Sequence, residues 1–218
     1  MLPSPLDVGK ALIQEFPLLL FHAKTTLLEA CVGLLLGVAI GFITAVLMDQ
    51  YERLYQALYP LLVLTQTIPT VAIAPLLVLW LGYEMTPKVV LIIIVTFFPV
   101  SVGVFDGLRC VDNDTIQLLR SMGANKFQIF CHVKFPSALN SFFSSIRIAA
   151  SYSIVGAVIS EWLGGTSGLG VYMTRVRKSF AFDKMFAVIF LISALSLLVM
   201  ALIHVIQKKS MPWEREME

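Results

Sequence analysis

Ionisable side chains buried in a bilayer are the ones that relay protons, hold ions or pair with a charged solute. In this chain two carboxylates, Glu29 and Glu161, stand within or beside long apolar runs. A charge at the bilayer centre costs on the order of 2.5–3.5 kcal/mol on insertion scales, and much less near a helix end. Both glutamates fall near the ends of their runs, so an interfacial position is expected for each. His22, His132 and His204 are scattered, and Cys31, Cys110 and Cys131 show no CxxC spacing. No nucleophile–base set or metal-ligand cluster stands out, so no catalytic residue and no metal site is assigned. No segment reads GxxxxGK[ST], so the chain is not expected to bind ATP through a P-loop.

The elements that must position these residues are membrane helices. The chain of 218 residues is 58% hydrophobic and 14% charged, with mean hydropathy +0.85. A soluble domain of this size carries nearer a quarter charged residues. The net charge of +2 is uninformative, and no basic stripe interleaved with aromatics points to nucleic acid. The opening MLPSPLDVGK is not a signal peptide, because no apolar core follows a basic start. Five spans are expected, at 25–48, 58–81, 89–105, 146–163 and 185–206. The fold class is therefore all-α, an integral membrane protein with about five spanning helices in one domain, 1–218.

Two spans carry more than hydrophobicity. Gly33, Gly37 and Gly41 form overlapping GxxxG units, a face that lets another helix approach closely. Packing inside one bundle is the preferred reading over a dimer seam. In IPTVAIAP, 68–75, Pro69 and Pro75 should interrupt the second span. Broken backbone at membrane depth survives only against protein or a water-filled cavity, a device common in transporters. A kink that helps packing fits the residues equally well. If the break serves a path, Gln66, Thr67 and Pro69 would line it, with packing the expected role for Trp80. Glu161, next to Trp162 and a glycine turn, would line the outer gate.

The long polar loop from 106 to 137 asks for a different explanation. Asp112, Asn113 and Asp114 offer an N-cap before TIQLLRSM, and Gly123 follows where a left-handed C-cap belongs. Asn125 can cap a second helix, KFQIFCHVKF, stopped by Pro136. Ile116, Leu119 and Met122 make one apolar edge, and Phe127, Phe130 and Val133 another. These edges either fold back on the bundle or enter a groove on a second protein.

From Gly123, nine residues lead to Val133, Lys134, Phe135, Pro136. This resembles the cytoplasmic signature of permease subunits of binding-protein-dependent ABC importers: Glu-Ala-Ala, three residues, Gly, nine residues, Ile, any residue, Leu-Pro. Gly123 and Pro136 match, and Val133 and Phe135 are apolar replacements. Gln117, Leu118 and Leu119 stand at the Glu-Ala-Ala positions, a departure that removes the carboxylate. IPTVAIAPLLVLWLG (68–82) and SEWLGGTSGLGVYM (160–173) look like the corresponding segments of the nitrate, sulfonate, taurine and thiamine-precursor group. RIAASYSIVGAVISEWLGG looks closest to permeases for the pyrimidine precursor of thiamine.

The resemblance implies a type I ABC importer transmembrane domain in the cell membrane of a prokaryote. The loop would be the coupling element that docks on a separate ATPase, through Gln117, Leu118, Leu119, Gly123, Ala124, Asn125, Phe127, Val133 and Pro136. ATP and Mg would be bound by that partner, and none by this chain. An extracellular solute-binding protein and a second permease copy, most simply in a homodimer, complete the set. The solute would be small, such as the hydroxymethylpyrimidine precursor of thiamine. In this group Pro-Ser-Pro usually follows a first membrane helix; here LPSP is at 2–5, so the chain looks like a member lacking that helix. Five spans would then place the N-terminus outside and the C-terminus inside. Lysine and arginine counts, nine inside against seven outside, barely favour that orientation. The competing class is an ion-coupled secondary transporter or channel, disfavoured by the few ionisable groups in the middles of the spans.

Overall fold

The computed structural model describes residues 3–211, so Arg215, counted above on the inner side, and Leu2 of LPSP lie outside the described residues. Ten α-helices form the described residues: α1 (Pro5–Gln14), α2 (Phe16–Gln50), α3 (Glu52–Thr67), α4 (Thr70–Leu81), α5 (Met85–Arg109), α6 (Asn113–Ser121), α7 (Lys126–Ile129), α8 (Phe135–Leu163), α9 (Leu169–Lys178) and α10 (Phe182–Ser210). Four stretches are long and apolar enough to cross a membrane: α2, α5, α10 and the 38-residue stretch Lys126–Leu163; α3 and α4 together make a fifth.

The helices run further than the apolar runs. A helix of 35 residues such as α2 is about 52 Å long, so its ends stand clear of a 30 Å hydrocarbon layer. Helix α1 has a signal in the sequence that the LPSP comparison overlooked. Ser4 and Asp7 make a reciprocal capping box, and Pro5 sits in the first turn, where its missing N–H costs nothing.

The second span breaks once. Its axis turns by 98° between Thr67 and Thr70. Ile68 is extended, as the residue before a proline must be, and Pro69 opens α4. Pro60 and Pro75 lie inside α3 and α4 without ending either. The expected break at Pro75 is therefore corrected: one proline removes one ladder bond, which α4 tolerates.

Helix α5 is the centre of the bundle, held between α2 and α8. The three glycines of α2 meet α5 in a matched four-residue register. A Cβ on Gly33 would fall 2.5 Å from Ile92, one on Gly37 would overlap the Thr96 hydroxyl, and one on Gly41 would fall 3.0 Å from Val100. On the other face, Gly103 and Gly107 of α5 receive Ser145 and Ser141 of α8, and Gly156 of α8 lies against Val95. The GxxxG face thus serves packing within one chain.

Between α7 and α8 the helix does not stop at Pro136. Phe130–Lys134 adopts a π-helical turn, and α8 continues through the proline. Proline clashes with the carbonyl four residues back and leaves it unbonded; a wider π turn just before it relieves both problems.

The packing yields a direct test. Gly37→Leu should overpack the α2–α5 contact and cost about 1–3 kcal/mol. Gly9→Ala, inside α1 where a Cβ meets no atom within 4 Å, should leave the melting temperature unchanged or slightly raised. Thermal unfolding of the purified protein in detergent reads both; equal melting temperatures for G37L and wild type would refute the close contact.

Candidate functional site

At one end of the bundle, α6 and α7 form a bent elbow. The Asp112 side chain accepts from the Asp114 N–H at 3.2 Å, starting α6. Gly123 then adopts φ +87°, while the Ala124 N–H bonds the Leu119 carbonyl. A Cβ at Gly123 would meet no atom within 4 Å, so the requirement for glycine is one of backbone conformation. Asn125 and Gln128 cap each other's backbone N–H groups at 2.8 Å and start α7.

Ion pairs hold the elbow to the bundle. Lys134 Nζ reaches both carboxylate oxygens of Asp49, at 2.6 and 2.8 Å, and so ties the π turn to the end of α2. Arg109, at the end of α5, pairs with Glu52 at the start of α3 and lies over the Tyr55 and Phe105 rings, 4.7 and 4.5 Å from their centroids. That stacking adds cation–π attraction to an exposed pair that alone contributes little.

The two apolar edges divide between inward and outward roles. Ile116, Leu119, Phe130 and Val133 are half-buried, and Ile129 is buried against the bundle. Leu118, Met122 and Phe127 point away from it, 62%, 75% and 74% exposed. A shallow cleft of about 450 Å³ crosses the bend, lined by Leu119, Met122, Gly123 and Ala124 on one side and Gln128 and His132 on the other. Among the anticipated coupling residues, Gln117, Leu118, Gly123, Asn125 and Phe127 are exposed; Leu119, Ala124, Val133 and Pro136 are half-buried. Val133 and Pro136 belong to the stem of the elbow, Val133 in the π turn and Pro136 in the first turn of α8.

The anticipated path residues separate into two places. Gln66, Thr67 and Pro69 are exposed at the α3–α4 bend, where the Thr67 hydroxyl donates to the Leu64 carbonyl at 2.8 Å. Trp80 is 73% exposed, so it does not pack within this chain as expected. Glu161 is elsewhere and is only 2% exposed.

Glu161 belongs to a polar knot at the end opposite the elbow, where both glutamates are buried among protein groups. Glu29 on α2 pairs with Lys88 on α5 at 2.6 Å, with residue exposures of 2% and 5%. Glu161 on α8 accepts from the Thr26 hydroxyl at 2.7 Å and from the Gly170 N–H at 2.6 Å. Thr26 in turn accepts from the Leu169 N–H at 2.9 Å, and His22 Nδ1 accepts from the Gly168 N–H at 3.0 Å. The first turn of a helix leaves its N–H groups without partners. Here three consecutive ones, opening α9, are satisfied by side chains of α2 and α8. A Cβ on Gly168 or Gly170 would strike the Glu161 side chain, and Gly168 has φ +125°. The GLG of the sequence therefore lets the chain lie against a buried carboxyl. Lys88 and Thr26 were not singled out from the sequence, and His22 was set aside as scattered; a threonine four residues after a histidine on one helix face was the available hint.

Comparisons with known proteins bear on the fold and the family. Residues 37–211 match the family model described as binding-protein-dependent transport system inner membrane component. The chain is 38% identical over 217 residues to the formylaminopyrimidine transport permease protein ThiX of Halalkalibacterium halodurans, covering 99% of this chain and 87% of that one. It is 40% identical over 195 residues to a probable ABC transporter permease protein of Haemophilus influenzae, covering 89% and 80%. Its fold matches a chain of the MetNI methionine ABC transporter, solved in an inward-facing conformation, with TM-score 0.77 at 19% identity, covering 90% of this chain and 97% of that one. The chain is a multi-pass cell-membrane protein with the fold of a type I ABC importer permease, and it belongs to the family of inner-membrane components of binding-protein-dependent transport systems.

Proposed function

We propose that this chain is the permease subunit through which an ATPase drives uptake of a small solute, and that the elbow is where the work enters. The observation that carries this reading is the elbow's outward tip. Leu118, Met122 and Phe127 stand exposed in a polar, basic setting, on a bend pinned by Gly123 and anchored by Lys134–Asp49. Exposed large apolar groups on a rigid projection are the mark of a surface that enters a groove on a partner. The elbow faces the cytoplasm and the knot faces outward. ATP and Mg are bound by the partner ATPase, and closure of two ATPase subunits draws two elbows together.

A second copy of this chain completes the path. The exposed apolar face of α3 and α4, with Ile68, Val71, Leu76 and Trp80, supplies the surface for that contact, and Gln66 and Thr67 at the bend face the solute. An extracellular solute-binding protein delivers the cargo. The solute class is a pyrimidine of the kind named for the Halalkalibacterium halodurans relative.

Gly123→Val leaves the chain in the membrane but puts a β-branched residue at φ +87°, at a cost of roughly 1 kcal/mol or more. Uptake should fall by about tenfold or more and the ATPase should no longer co-purify. Gly123→Asn, which tolerates left-handed backbone, should keep both. Normal uptake and ATPase retention in G123V would contradict docking through the bend.

Replacing Leu118, Met122 and Phe127 together by aspartate should likewise release the ATPase without changing membrane insertion. In proteoliposomes, uptake driven by an ion gradient with no ATPase present would replace the whole reading with that of a secondary transporter.

A further inference from the structure

We infer that the buried cluster of Glu29, Lys88 and Glu161 is a proton-binding site, holding one proton between the Glu161 carboxyl and Glu29 Oε2. Two independent observations converge on it. The first is charge. Two carboxyls, each in a residue 2% exposed, share a single ammonium, that of Lys88. Fully ionised, the trio carries a net negative charge out of water, which is costly in a low-dielectric site; one bound proton makes it neutral.

The second observation is an orphan. Glu29 Oε1 accepts from Lys88, but Glu29 Oε2 is buried and has no hydrogen-bond partner. Glu29 lies one helical turn beyond Thr26 on α2, and Thr26 donates to Glu161 at 2.7 Å, so the two carboxyls are neighbours in one buried cluster. Ionised carboxylates are acceptors only, so two of them cannot bond each other. With a proton on Glu161, its O–H donates to Glu29 Oε2 and the orphan is satisfied. The proton enters from water and returns to it.

The other polar and charged groups around the trio leave this balance intact. On α2, His22 accepts at Nδ1 from Gly168 and so is unprotonated there, and Thr26 is neutral. On α9, Tyr172 is neutral, and Arg175 is exposed and bonded to the Thr166 carbonyl. Lys184 of α10 is paired with Glu15. Among the described residues, no cation other than Lys88 pairs with either carboxyl. Glu161 also caps the first turn of α9, so losing the proton sets two carboxylates against each other beneath the α8–α9 turn.

The sign of the linkage follows. The unfolded chain releases this proton above the ordinary carboxylate range, while the native chain keeps it. Native protein then binds about one proton more than unfolded protein, and stability falls as pH rises. The test is the melting temperature of the full chain in detergent from about pH 5 to about pH 8, converted to protons bound on folding. Glu161→Gln, which keeps a donor and stays neutral, should lower that number by about one relative to wild type while keeping the melting temperature at the upper pH. An unchanged number in E161Q would overturn the proposal.

Infrared spectroscopy of the wild-type protein keeps the proposal falsifiable should E161Q not fold. A protonated-carboxyl carbonyl band at neutral pH, moved by deuterium exchange and missing from Glu29→Gln or E161Q, supports the site. Its absence from wild type refutes it.

Discussion

Close contact between α5 and its two neighbours is the constraint on which the rest of the bundle depends. In lipid, apolar surface gains little by leaving one hydrocarbon for another, so helices associate through van der Waals contact and scattered polar bonds. Contact of that kind is strong only at short range. Gly33, Gly37 and Gly41 on one side, and Gly103 and Gly107 on the other, remove the side chains that would hold the helices apart. The result is a three-helix slab of α2, α5 and α8. Because α5 feeds the elbow and α8 leaves it, displacement of the elbow must carry the slab with it.

The two ends of the slab are finished differently. At the elbow end, charges lie at the surface: Arg109–Glu52 is exposed, and Lys134–Asp49 is partly covered. Such pairs can break and re-form as a partner docks. At the far end the charges are buried and tie several elements together. Glu161, Thr26 and His22 satisfy three backbone N–H groups of the α8–α9 turn, and Glu29–Lys88 joins α2 to α5 beside them. Removing one partner from such a pair leaves an uncompensated buried charge, which typically costs several kcal/mol. The far end is thus the stiff end, while the broken span α3–α4 is held by α5, α2 and α8 together.

How much of this was legible in the sequence follows from the range of each interaction. Local chemistry read well. The four-residue spacing of the α2 glycines, the Asp112 and Asn125 caps and the left-handed Gly123 are each decided within a few residues, and the structure has them as expected. Hydropathy located the spans but not their ends, because helices such as α2 and α8 continue past the apolar run on the strength of their own ladders. Pro136 misled, because a π turn upstream absorbs the disruption a proline brings. The polar knot was invisible for a different reason. Glu29 and Lys88 are 59 residues apart and Thr26 and Glu161 are 135 apart, so only the folded packing could pair them. Each looked like an end-of-helix charge free to reach water.

The elbow as a mechanical input can be tested by measuring it move. Spin labels on cysteines replacing Ser121 in two copies of this chain, with Cys31, Cys110 and Cys131 removed, would report the separation of the two elbows in the ATPase-bound complex. Ser121 is exposed and lies at the last turn of α6, so a label there should not disturb the bend. The distance should shorten when a non-hydrolysable ATP analogue is added and lengthen again when the nucleotide is withdrawn. A separation indifferent to nucleotide, in a complex that still imports its solute, would contradict the elbow's role as the point where ATP binding moves the membrane helices.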